Sequence, residues 1–173
     1  FEGTIEFYPE EGKYHMDGHR DCKVCMDPPE TKKNDFKCTK CKKRVTVGVM
    51  HRIDELAEPD RPQGYKPKNP RPFHSIIPLP EIVSEIESVG VQSKRVKEKH
   101  MELLSTLGNE FSILLDIPIA DIESHAGPVL AEAIKRMREG RINVSPGYDG
   151  EYGKITVFKN GEKETIVPQE KLF

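Results

Sequence analysis

Apolar positions along this chain change period twice, and the changes divide it. From Thr4 to Tyr8, "TIEFY" alternates as a strand does, and "RVTVGVM" (residues 44–50) is β-branched and strand-like. "HRIDELAE" (residues 51–58) has the spacing of a short helix, stopped by Pro59. Between residues 80 and 140 the period lengthens. Ile82, Val83 and Ile86 mark one face of a helix starting beside Pro80. Val96, His100, Leu103, Leu104 and Leu107 recur at helical spacing and predict a second, which Gly108 can end. Leu130, Ala133, Ile134 and Met137 predict a third, opened by Pro128 and closed by Gly140. "EFSILLDIPI" (residues 110–119) fits a short buried helix or a strand equally. After Gly140 strand-like residues return. "KITVF" and "ETIVP" flank "KNGEK", where Asn160-Gly161 predicts a hairpin because both residues tolerate positive φ.

Proline separates these regions. Residues 59–80 contain Pro59, Pro62, Pro67, Pro70, Pro72, Pro78 and Pro80, seven of the fourteen in the chain. Proline fixes φ and disfavours helix at the residue before it, so the segment is extended or turning. Its composition reads as a linker, although Phe73, Ile76, Ile77 and Leu79 predict that its last third docks on a surface.

All four cysteines lie between residues 22 and 41, as Cys22-x2-Cys25, twelve intervening residues, and Cys38-x2-Cys41. Two such knuckles aim four thiolates at one centre and predict a structural Zn2+ site. Disulfides would require an oxidising compartment. "KYHMDGHRDC" places His15 and His19 just before Cys22, and His51 follows the second knuckle, so His19 or His51 in place of Cys25 gives a chemically reasonable His/Cys3 cage. Four protein ligands leave no open position for substrate, so no catalytic residue is expected among them. The expected fold is α+β: a zinc-ribbon-like unit over 1–58, the linker over 59–80, and a helical domain with a C-terminal hairpin over 81–173.

Composition narrows the possible partners. With 35% hydrophobic and 32% charged residues and no tryptophan, the 173-residue chain supports modest cores. A net charge of −2 excludes a global field that gathers nucleic acid, so such binding must come from local patches. No apolar run reaches membrane-span length and no secretory leader is visible, so no membrane partner and a cytoplasmic location are expected. The chain starts at Phe1 without methionine, and is expected to be a piece of a longer protein.

Lys32, Lys33, Lys37, Lys40, Lys42, Lys43 and Arg44 surround the knuckles. One reading is a solvated ribbon surface with no interior to fill. The other is that a metal-held turn presents Lys37, Lys40, Lys42, Lys43 and Arg44 to DNA phosphates. Lys94, Arg95, Lys97, Lys99, Lys135, Arg136, Arg138 and Arg141 could extend such a patch. "SPGYDGEYGK" (residues 145–154) could offer amides to a phosphate and the Tyr148 ring to a base, or be a tight turn between strands. The tail "QEKLF" fits a Q-x-x-L-F peptide that docks on sliding clamps through Gln169, Leu172 and Phe173.

These residues together resemble the C-terminal portion of the endonuclease Q family. The resembling stretches are "EFYPEEGKYHMDGHRDC", "CTKC" followed by "VTVGVMHRIDELAE", "HSIIPLPEIVSEI" and "SPGYDGEYGKI". The resemblance implies a DNA-repair endonuclease that hydrolyses the phosphodiester 5′ of deoxyuridine, deoxyinosine or an abasic site. Its catalytic metals would lie in an N-terminal domain of the polymerase-and-histidinol-phosphatase (PHP) superfamily, not in these residues. Many members of the family carry "DGHRxC" without the second cysteine, which favours His19 as a ligand. The expected role is DNA binding and lesion recognition. The alternatives are a structural region of another PHP-type phosphoesterase, or an adaptor to a clamp.

Overall fold

A computed structural model describes residues 1–57 and 65–166. The chain is mixed α+β with small two-stranded sheets. It divides into two compact units that interleave in sequence: Phe1–Thr4, Tyr8–Phe73 and Val144–Ile155 form the first, and Ile5–Phe7, His74–Asn143 and Thr156–Phe173 the second. Strand β1 (Thr4–Phe7) pairs with β4 (Phe73–Ile76), and all four β1 residues are exposed, so its alternation buries no face.

In the first unit, β2 (Asp17–His19) and β3 (Val24–Met26) pair antiparallel, with Gly18 opposite Cys25 and His19 opposite Val24. A 3-10 turn, Arg20–Cys22, reverses the chain, and Lys23 completes it with φ of 51°. Alternation along β3 buries Val24 and Met26 and turns Cys25 outward. Helix α1 (Pro28–Lys33) follows, a helix that the hydrophobic pattern does not predict. Asp27 caps it by accepting from the Glu30 amide at 2.7 Å, and Pro28 needs no donor in the first turn.

Residues 44–50 do not form the expected strand. They make isolated bridges at Arg44 and Thr46, and helix α2 (Val49–Leu56) then begins. The cause is Asp17. Its Oδ1 accepts from the Gly48 amide at 2.7 Å and its Oδ2 hydrogen-bonds His51 Nδ1 at 2.7 Å, so one buried carboxylate pins the first turn of α2. A side chain at Gly48 would meet Met16 O at 2.4 Å, so the approach requires glycine. The core beneath is small: Val24, Met26, Cys38 and Val45, with Cys22 packed on it.

In the second unit, α3 (Leu79–Glu87), α4 (Lys94–Leu107) and α6 (Pro128–Arg138) carry the three predicted apolar faces, burying Ile82 and Val83, Val96 and Leu103, and Leu130, Ala133, Ile134 and Met137. The ambiguous residues 110–119 hold a π-helical turn, Ser112–Asp116, with Ile113 and Leu114 fully buried, and then α5 (Ile119–Ala126) begins. Arg138 satisfies the carbonyls of that turn, donating to Leu114 O at 2.8 Å and Ile113 O at 2.9 Å.

The terminal strand pair lies earlier in the chain than Asn160-Gly161 suggests: β5 (Asn143–Ser145) pairs with β6 (Lys154–Thr156). Around Asn160 the amides that a hairpin ladder would use are already engaged. Those of Val157 and Phe158 donate to the Glu85 carboxylate at 2.9 and 2.7 Å, and that of Lys159 to Glu162 at 2.9 Å. Residues Lys163–Thr165 then form a 3-10 turn, with Lys163 Nζ donating to Ile86 O at 2.9 Å near the end of α3. Among the described residues no helix is long and apolar enough to cross a membrane.

Candidate metal centre and basic surface

β2 delivers His19, and the turn that follows delivers Cys22 three residues later. The second arm runs Cys38-Thr39-Lys40-Cys41. The ligand atoms of His19, Cys22, Cys38 and Cys41 all lie within 4.8 Å of one another. His19 Nδ1 is 3.7 Å from Cys41 Sγ, close to the roughly 3.8 Å edge expected of a tetrahedral zinc–thiolate site. The second knuckle is closed by Lys42 N donating to Cys38 O at 3.0 Å and Cys38 N to Lys43 O at 2.8 Å, with Lys42 at φ of 63°. Lys40 Nζ donates to Cys22 O at 2.9 Å and so ties one arm to the other.

The electrostatics of the two arms differ. Burial opposes ionisation of Cys38, but the amides of Cys41 and Lys40 donate to its sulfur and hold the thiol below its ordinary value. Cys22 is pushed up to about 11 by its hydrogen bond with Cys41, then by burial and by Cys38. One His and three Cys, with amides already aimed at one sulfur, form a donor set that fits Zn2+.

The structure thus groups a different set from the four cysteines. Cys25 stands outside it, on the outward face of β3, because residues 24–26 continue as a strand and form no second knuckle turn. Local burial and the carboxylates of Asp17 and Glu30 push the Cys25 thiol up. His51 is also excluded. It is buried, bonded to Asp17 and packed against Phe36, with ring centroids 5.2 Å apart and the planes tilted by 49°. Cys25→Ala is therefore expected to leave zinc content unchanged. His19→Ala should weaken retention against a chelator by about 100-fold, roughly a quarter of the free energy of a structural site. Equal losses in both variants, read by chelator competition, would reject this donor set.

Lys37, Lys40, Lys42, Lys43 and Arg44 are all exposed, and no carboxylate among the described residues pairs with them. Lys37, Lys42 and Arg44, with Asp35 and Phe36, line an open hollow of about 360 Å³. Most of the basic residues on the helices differ, although Lys97 and Lys135 are exposed and in no ion pair among the described residues. Arg95 pairs with Glu87, Lys94 with Glu98, Lys99 with Glu102, Arg136 with Glu132 and Glu162, and Arg141 with Glu139. Arg138 is spent on carbonyls. Five exposed cations without a carboxylate partner among the described residues therefore stand close together in sequence, within residues 37–44 at the second knuckle.

The glycine-rich segment joins β5 to β6 as a tight connection. The Tyr148 ring packs on Gly18, where a Cβ would meet it at 2.5 Å, so Tyr148 is half-buried packing and not an open ring. Sequence reasoning missed the neighbouring Asp149. It holds φ of 45°, and its carboxylate accepts from Arg20 N at 2.6 Å and Thr46 Oγ1 at 2.5 Å. Burial works against its ionisation, but those two donors and the charges of Arg20 and His19 hold the carboxyl below its usual range. The Asp-Gly pair, a common site of positive φ, was the available signal. Gln169, Leu172 and Phe173 lie outside the described residues, as do residues 58–64 of the proline-rich segment.

Fold and site together define a class: a mixed α+β chain in which a small knuckle unit with a His/Cys3 donor set accompanies a helical unit. Among solved structures, the chain is similar over 88% of its length to PfuEndoQ, described as a lesion-specific endonuclease from Pyrococcus furiosus, with 32% identity and a TM-score of 0.75. It is similar over 94% of its length to Endonuclease Q in a complex with a 27-mer duplex substrate carrying an abasic lesion at the active site, with 30% identity and a TM-score of 0.71. The chain spans 37% and 41% of those two proteins, which is consistent with a C-terminal portion, as the sequence resemblance implies. Residues 78–141 match the family described as the MJ0043 C-terminal domain. Curated relatives are the uncharacterized protein MJ0043 of Methanocaldococcus jannaschii, 34% identical over 86% of this chain, and the uncharacterized protein YqxK of Bacillus subtilis, 30% identical over 83%. The matched region covers 18% and 33% of those two relatives.

Proposed function

We propose that this chain is the DNA-binding and lesion-recognition region of a metal-dependent endonuclease that cleaves DNA 5′ of deaminated bases or abasic sites. The observation that carries the reading is the exposed, unpaired cluster Lys37, Lys40, Lys42, Lys43 and Arg44 on a turn whose shape the His/Cys3 donor set fixes. Basic groups held on a rigid turn bind phosphates without reading sequence. The likeness to endonuclease Q bound to an abasic duplex supports DNA as the partner. Zinc at His19, Cys22, Cys38 and Cys41 would brace this surface. Its four protein donors leave no open position, so its role is structural.

The test is binding of the zinc-loaded chain to labelled duplexes, with and without an abasic site, over a salt series. Four or five phosphate contacts predict a slope of about −4 in log K against log salt, together with loss of binding on chelation. Absence of duplex affinity at low salt would remove the proposal.

A further inference from the structure

Two tyrosines with no part in the core or the metal centre stand on adjoining segments of the first unit. Tyr152 is 76% exposed and Tyr14 is 48% exposed. The Lys13 ammonium lies 5.3 Å from the Tyr152 ring centroid and 6.0 Å from that of Tyr14. The segments that carry them are fastened together. Gly147 N donates to Glu10 O at 2.8 Å, Gly150 N to Lys13 O at 2.9 Å, and Gly153 N to Glu11 O at 3.0 Å. A Cβ on Gly153 would meet Glu10 O at 2.0 Å, and one on Gly147 would meet Gly12 O at 2.5 Å, so only glycine permits this contact. Asp149 adds a strut to Arg20 N and Thr46.

We propose that Tyr14 and Tyr152, with Lys13 close to both, form a stacking platform for an unpaired nucleobase. This rests on the DNA-binding reading and deepens it, because the knuckle lysines hold a strand without distinguishing paired from unpaired bases. Every base has a π-face, so exposed aromatic rings accept one whatever its sequence. A duplex hides those faces in its stack, and an unpaired base exposes them. The fastened backbone keeps the rings placed before binding, which lowers the entropy lost on contact. Glu10, Glu11 and Glu151 on the same segments disfavour phosphate there, leaving the backbone to Lys13, to Arg20 (whose guanidinium approaches Gly150) and to the knuckle.

The chain has five tyrosines and no tryptophan, so its intrinsic fluorescence reports ring stacking directly. The zinc-loaded full chain would be titrated with a short oligothymidylate, a duplex bearing one bulged base, and the fully paired duplex. Quenching and tighter binding are expected with the first two. Tyr14→Ala and Tyr152→Ala should each cost roughly 5- to 100-fold on the unpaired probes, with the salt slope and paired-duplex affinity unchanged. Tyr14→Phe and Tyr152→Phe should keep the wild-type preference, which also guards against a folding defect. Alanine variants that retain the preference, or phenylalanine variants that lose it as fully, overturn the platform. Equal binding of paired and unpaired probes by the parent overturns it alone. Binding of none of them overturns the DNA reading as well.

Discussion

Cys38→Ser is expected to strip the metal and unfold the first unit while leaving the helices of the second largely intact. Cys38 is at once a proposed ligand and a fully buried member of a core that among the described residues holds Val24, Met26 and Val45 besides, with Cys22 packed on it. So few apolar side chains do not hold a unit of this size, and a structural zinc contributes about 10–16 kcal/mol to folding of such modules. Serine keeps the shape but supplies no thiolate. The second unit has its own buried set, including Leu79, Ile82, Ile113, Leu114, Ile122 and Ile134. Regional hydrogen exchange should show amides of residues 17–51 losing protection while those of α3 to α6 keep theirs. Retained protection in residues 17–51 would mean that the unit folds without its metal. Collapse of both would mean that the helices depend on it.

The second large effect is expected from charge reversal at the knuckle. Lys40→Glu, Lys42→Glu and Lys43→Glu combined should weaken duplex binding by roughly 100-fold or more at low salt and lower the salt slope by about 3. The comparison that gives this meaning is reversal of Lys94 and Lys99, already paired with Glu98 and Glu102. That variant changes net charge in the same direction at sites that offer less free charge, so its loss should be much smaller. Equal losses would indicate a diffuse field and no defined surface. Because Lys40 also donates to Cys22 O, zinc content must be measured in parallel. A variant with Lys42 and Lys43 alone reversed separates grip from bracing.

Three helices were legible because their apolar faces recur over two or more turns, and burial followed the pattern at Ile82, Val96, Leu103, Ile134 and Met137. The metal donors were legible as a neighbourhood but not as a set. Spacing cannot show whether a knuckle turns, and "VCM" reads equally as the strand it becomes, with Cys25 on the wrong face. What decides in favour of His19 is its place on a strand paired opposite Val24, a backbone register that cysteine spacing does not record. Residues 44–50 and 157–161 failed for a related reason. Strand pairing begins at Thr46, which bridges Gly18, but stops where the carboxylates of Asp17 and Glu85 capture the backbone amides of Gly48 and Val157. Tyr148 and Tyr152 differ only in what covers them, and sequence carries no record of that.

The return of Val144–Ile155 to the first unit has a temporal consequence. During synthesis, His19 and the three cysteines leave the ribosome about a hundred residues before Asp149, which fastens Arg20 and Thr46, and the glycines that fasten residues 10–13. The donors of the metal centre can come together early, but the surface built on the returning segment is completed only once residue 155 has emerged. A nascent or truncated chain ending before residue 144 would hold zinc and lack the tyrosine pair, so metal content by itself is no proof of a finished protein.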